Sequence, residues 1–87
     1  MAAVHEAARE NDMEALERLL DEDPGLLGAE HEGWGREQPL HVASGAGSLE
    51  AACLLLDRGA AIDARDGYGR TPLMWACVAG YAQLVSL

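Results

Sequence analysis

Five side chains in this sequence have the chemistry to hold a metal or to form a nucleophile–base pair: His5, His31, His41, Cys53 and Cys77. Structural zinc takes paired ligands two to four residues apart, and no two of these five stand at that separation. A catalytic cysteine needs a histidine within hydrogen-bond reach, and nothing in the local sequence supplies one. Fifteen carboxylates are present, but their run along residues 10–23 reads as the solvated face of a helix. The glycine-rich stretch Gly45-Ala46-Gly47-Ser48 lacks the flanking strand and the lysine that a phosphate loop requires. The expectation is a chain that is not an enzyme, with no cofactor and no metal.

The more informative residues are aromatic. Trp34 and Tyr68 each sit between two glycines and are followed by an arginine, as Gly33-Trp34-Gly35-Arg36 and Gly67-Tyr68-Gly69-Arg70. Glycines on both sides predict a loop tip, where little core is available to cover a ring. Exposed aromatics beside arginines are the residue types that dominate protein–protein interfaces. The competing expectation is that each ring folds back onto its own loop. Trp75, by contrast, reads as packing.

Composition narrows the partner class. Net charge is −9, which disfavours nucleic acid and anionic membrane. Ten of the fifteen acids lie in residues 1–32, against Arg9 and Arg18. That run is either a solvated face or an acidic patch for a basic protein. Two cysteines make no disulfide framework, and there is neither an export signal nor an apolar run long enough to span a membrane. A cytoplasmic chain with free thiols is expected.

The elements that position these residues follow from an internal period. Gln38-Pro39-Leu40-His41-Val42-Ala43-Ser44 returns 33 residues later as Thr71-Pro72-Leu73-Met74-Trp75-Ala76-Cys77, and Gly47 returns as Gly80. Upstream, Glu32-Gly33-Trp34-Gly35-Arg36 matches Asp66-Gly67-Tyr68-Gly69-Arg70 at an offset of 34, so Glu37 is an extra residue. A weaker first copy places His5 like His41, Ala7-Ala8 like Ala43-Ser44, Asn11 like Gly47, and Leu16, Leu19 and Leu20 like Ala52, Leu55 and Leu56. Its offset of 36 puts added residues near 23–28.

Each copy reads as two short helices. Thr71-Pro72 is a helix start, with threonine as N-cap and proline at the first helical position. Gln38-Pro39 repeats it with a poorer cap. Gly47 and Gly80 suit a left-handed helix end, and Asn11 is the next best residue there. Asp12 and Ser48 can cap second helices at about 13–22 and 49–57, the latter ended by Gly59. The first helices are alanine-rich, which permits close stacking, and such short helices bury their apolar faces only by stacking on the next pair. Cys77 falls at a small core position and Cys53 on a solvent-facing one.

The spacing of Gln38-Pro39-Leu40-His41, Gly47, Leu55-Leu56, Gly59-Ala60 and Ile62-Asp63, then Asp66, Gly69, Thr71-Pro72-Leu73, Ala76, Gly80 and Val85, resembles the ankyrin repeat over nearly the whole chain. The resemblance implies an all-α solenoid of stacked helix–turn–helix units with short β-hairpin-like loops. It implies about two and a half repeats: a capping unit over 1–31, a repeat over 32–65, and a unit over 66–87 that stops inside its second helix. It also implies a protein-binding scaffold. The implied contacts are Trp34, Arg36 and Glu37 in one loop, Tyr68 and Arg70 in the next, and Ala46, Val78 and Ala79 on the inner-helix face. Gln38 for threonine and Met74 for histidine depart from the pattern, and each is expected to weaken the local hydrogen bonding. Met74 also removes the histidine nearest to Cys77. Three alternatives to a free-standing module remain open: a fragment of a longer array, self-association through an uncovered third unit, and an acidic decoy for a basic protein.

Overall fold

The added residues around 23–28 fold into a short 3-10 helix, Pro24–Gly28, begun by Asp23, whose carboxylate accepts the Gly25 N–H at 3.0 Å. The computed structural model describes residues 3–31 and 35–79, and of Val78 and Ala79 only the backbone. Five α-helices cover this range: α1 Ala3–Glu10, α2 Met13–Glu22, α3 Pro39–Ala46, α4 Leu49–Asp57 and α5 Pro72–Ala79. The predicted bounds of α2 and α4 hold, and no strand occurs among the described residues.

Local chemistry sets the helix ends. Asn11 closes α1 at φ +58°, and Gly47 closes α3 at φ +72°, both in the left-handed region predicted for them. Asp12 caps α2 by accepting the Ala15 N–H at 3.2 Å. Ser48 behaves otherwise. Its hydroxyl makes no cap to α4 and instead donates to the Arg9 carbonyl at 2.6 Å, one unit back. It is buried between units, where an unpaired carbonyl costs more than an uncapped helix end.

The core runs through the units in sequence. Val4, Ala7 and Ala8 of α1, Leu16 and Leu20 of α2, Leu40 and Ala43 of α3, Ala51, Ala52 and Leu55 of α4, and Ala76 of α5 form one buried cluster. The outer helices bury different rows. α2 buries Leu16 and Leu20, whereas α4 buries Ala51, Ala52 and Leu55 and leaves Leu56 half-covered.

Polar groups tie each unit to the next. Asn11 Oδ1 accepts the Ala51 N–H at 2.8 Å, so the residue that ends α1 also fixes the first turn of α4. Arg58 pairs with Asp21 at 2.9 Å across the outer surface. His5 and His41 are both fully buried. His5 Nε2 donates to the Glu37 carbonyl at 2.8 Å. His41 Nδ1 accepts the Gln38 N–H at 3.1 Å, and its Nε2–H is shared between the carbonyls of Ala64 (3.0 Å) and Arg70 (2.9 Å). Each histidine therefore fastens the loop that precedes the following unit. That reach is longer than the local network the sequence suggested, and Met74 has no group to repeat it.

Candidate functional site

The loop before α5 is built around one carboxylate. Asp66 is buried, with its side chain fully covered. Oδ1 accepts the N–H groups of Tyr68 and Arg70, both at 2.9 Å. Oδ2 accepts the Trp75 indole N–H at 2.9 Å and the Arg70 Nε–H at 3.1 Å. Burial opposes ionisation of this group. The Arg70 backbone, the Trp75 indole, the Tyr68 backbone and the Arg70 guanidinium outweigh it and lower the pKa from 3.8 to about 2.

Backbone bonds complete the turn. The Asp66 N–H donates to Arg70 O at 2.8 Å, and the Gly69 N–H donates to Asp66 O at 3.0 Å. Gly69 takes φ +78°, which a side chain would strain. The result is the hairpin-like closure that the resemblance implied, made without strand pairing. The Gly67 N–H also reaches Gly35 O of the preceding loop at 2.6 Å, so the two loops are joined backbone to backbone.

Tyr68 projects from this turn with 64% of its surface exposed. The Arg70 guanidinium lies 5.1 Å from the Tyr68 ring centre and 5.2 Å from that of Trp75. Trp75 is half-buried and approaches the edge of the His41 imidazole at 5.9 Å between ring centres. Its indole also crosses Gly45 of α3, where a built Cβ would stand 2.5 Å from Trp75 Cε3.

The remaining site residues divide. Arg36 is exposed, at φ +45°, one residue past the bond between the loops. Ala46 is exposed on the last turn of α3. Trp34 lies outside the described residues, as do the side chains of Val78 and Ala79, although both belong to α5. Glu37 does not project as expected. Its carboxylate folds back over Gly35 and stands 3.8 Å from His31 Nδ1, while its carbonyl accepts both His5 Nε2–H and the His31 N–H. The extra residue is spent on closing the first loop inward.

The five residues with metal or catalytic chemistry are dispersed. His5 and His31 meet edge to face at 5.5 Å, but no group of three His, Cys, Asp or Glu side chains among the described residues is placed to hold a metal ion. Cys53 and Cys77 are free thiols. The expectations for them are reversed: Cys53 is half-buried and Cys77 exposed. Ser44, at the position equivalent to Cys77, is buried because α5 packs on α3, whereas no described element covers the same side of α5. Among the described residues, no helix is long and apolar enough to cross a membrane.

Sequence reasoning missed Asp66 as the organiser of the loop and Gly45 as the seat of Trp75. An available signal for the first was an aspartate opening an Asp-Gly-x-Gly turn, where its side chain can bond the backbone two residues on.

This architecture agrees with what the chain is similar to. Residues 4–87 match the family model for ankyrin repeats in three copies. The chain is 39% identical over 91% of its length to a probable E3 ubiquitin-protein ligase of Oryza sativa subsp. japonica, and spans 16% of that protein. It is 41% identical over 76% of its length to a serine/threonine-protein kinase of Arabidopsis thaliana, spanning 15% of it. Over 52% of its length it is 56% identical to ankyrin repeat and SOCS box protein 18 of Homo sapiens, spanning 10% of that chain. Ankyrin repeats are in general non-catalytic modules for protein interaction. Stacked helix pairs, histidines that fasten successive loops, and a match running from residue 4 to residue 87 make this chain a member of the ankyrin-repeat family.

Proposed function

We propose that the chain is a protein-binding module that engages its partner through the loop row Trp34, Arg36, Tyr68 and Arg70, and through the inner-helix positions Ala46, Val78 and Ala79. The observation that carries this reading is Tyr68. A large ring is held in solvent on a turn whose backbone is pinned by Asp66, with a cation alongside it. Preordering of this kind removes much of the entropy cost of binding. The unit boundaries in this reading are 1–31, 32–65 and 66–87, and the compartment is the cytoplasm. Only binding is carried over from the similar proteins, because the chain spans 10 to 16% of the length of the three described above.

The acidic face of α2 favours a second reading, a decoy for a basic protein. Glu14, Glu17, Asp21 and Glu22 are all exposed there. Affinity capture with the wild-type chain and with a Trp34→Ala/Tyr68→Ala double variant, each matched for helicity, separates the two. The loop reading expects a captured protein whose affinity falls by more than about 1 kcal/mol in the double variant. Equal affinity for both baits, with loss on neutralising Glu14, Glu17, Asp21 and Glu22, would support the decoy and end the loop reading.

A further inference from the structure

The tip formed by residues 35–36 and 65–70 has the opposite charge to the rest of the molecule. It carries Arg36, Arg65 and Arg70, all exposed, on a chain whose net charge is −9. Its one acid among the described residues, Asp66, is fully covered and saturated by four hydrogen bonds, so it offers no free lone pair to the surface. The acid that follows Arg36, Glu37, is turned inward beside His31. The nearest exposed acids in the described loop residues are Glu30 and Asp63, outside the tip on either side.

The two arginines closest to Tyr68 are already oriented. Arg65 is held by donating from one terminal nitrogen to Gly69 O at 2.8 Å. Among the described residues Arg70 bonds only through Nε, to Asp66; its terminal nitrogens meet no described acceptor, and its side chain is 46% exposed. A guanidinium held by its inner edge and by neighbouring rings presents a fixed outer fork, the geometry that matches a carboxylate.

We infer that this tip binds an acidic peptide segment of a partner protein, with carboxylates on Arg36, Arg65 and Arg70 and an apolar side chain against Tyr68. The inference rests on the loop reading above and specifies the partner's chemistry. Nucleic acid, the other polyanion, is disfavoured because the exposed carboxylates of α2 would repel an extended phosphate backbone.

The test uses a 12-residue peptide in which Glu-Glu-Leu-Glu is repeated three times. One control carries Lys for every Glu, and another is a single-stranded DNA oligomer of equal length. Amide and indole N–H resonances of the wild-type chain are followed during titration. The expected result is movement confined to Gly35–Arg36, Arg65–Arg70 and the Trp75 indole, seen with the acidic peptide alone. Affinity should drop about tenfold in an Arg36→Gln/Arg65→Gln variant and by a similar factor between 50 and 300 mM salt. Equal or stronger shifts from the Lys peptide or the DNA overturn the inference, as does the absence of shifts at millimolar acidic peptide. If a captured partner depends on Tyr68 but is indifferent to Arg36→Gln/Arg65→Gln, the acidic-segment inference falls and the loop reading stands. A partner indifferent to Tyr68 as well ends both.

Discussion

Asp66 concentrates more of the loop's order than any other side chain. Replacing it with Asn keeps the size but exchanges one acceptor oxygen for an amide donor, which would face either two backbone N–H groups or the indole and guanidinium. Asp66→Asn should therefore destabilise by about 1 to 3 kcal/mol, read by chemical denaturation. Its charge also sets a pH dependence. The folded pKa of about 2 lies below the ordinary 3.8, so the stabilisation is complete above pH 4 and fades as pH falls toward 2. Its size is on the order of 1 kcal/mol once screening near the surface is allowed for. In Asp66→Asn this component of the acid loss should disappear, and an unchanged acid profile would show that the carboxylate is not held as described. His41 is the second residue of this kind. His41→Ala would strand the Gln38 N–H and the Ala64 carbonyl and leave the Arg70 carbonyl with its Asp66 N–H bond alone, at a cost of about 2 to 4 kcal/mol. The structural role of His41 was legible because it recurs in a motif. For Asp66 the sequence signalled a turn but not its burial, because an acid opening a turn looks the same whether its carboxylate faces water or four donors. Glu37 was misjudged for a related reason, since an inserted residue carries no sign of which way its side chain turns.

Among the elements, helix positions were legible because proline, glycine and asparagine act within a turn of where they stand. The links between helices were not. Asn11 illustrates the difference. Its left-handed backbone was predictable, but its bond to Ala51 N–H joins residues forty apart. Asn11→Gly separates the two roles by keeping the backbone conformation and removing the amide. A loss of about 1 to 3 kcal/mol is expected, whereas a neutral result would assign Asn11 to helix termination alone. Gly45 is the complementary case. It sits inside α3, where glycine is unfavourable, and its lack of a side chain admits the Trp75 ring from α5. Gly45→Ala should gain helix propensity yet lose about 1 to 3 kcal/mol net through displacement of the indole. A stabilised Gly45→Ala variant would mean that the ring moves aside freely. No local rule distinguishes this glycine from an idle one.

The molecule as a whole carries its charge unevenly. α2 exposes Glu14, Glu17, Asp21 and Glu22, and Asp21 alone of these has a described ion-pair partner, Arg58. Self-repulsion of a −9 chain is screened by salt. The melting temperature should thus rise by roughly 2 °C or more between 10 and 300 mM NaCl. A fall would mean that the Arg58–Asp21 and Arg70–Asp66 pairs outweigh the repulsion. The bond from Gly67 N–H to Gly35 O has a consequence on this scale. Both groups belong to the backbone, and both residues are glycines with no side chain to alter the join. The pitch between one tip and the next is written in peptide groups, while what the described tips display is written in the exposed side chains of Arg36 and Tyr68. Those two positions behave like movable type in a fixed frame: a substitution changes the letter and leaves the line spacing intact.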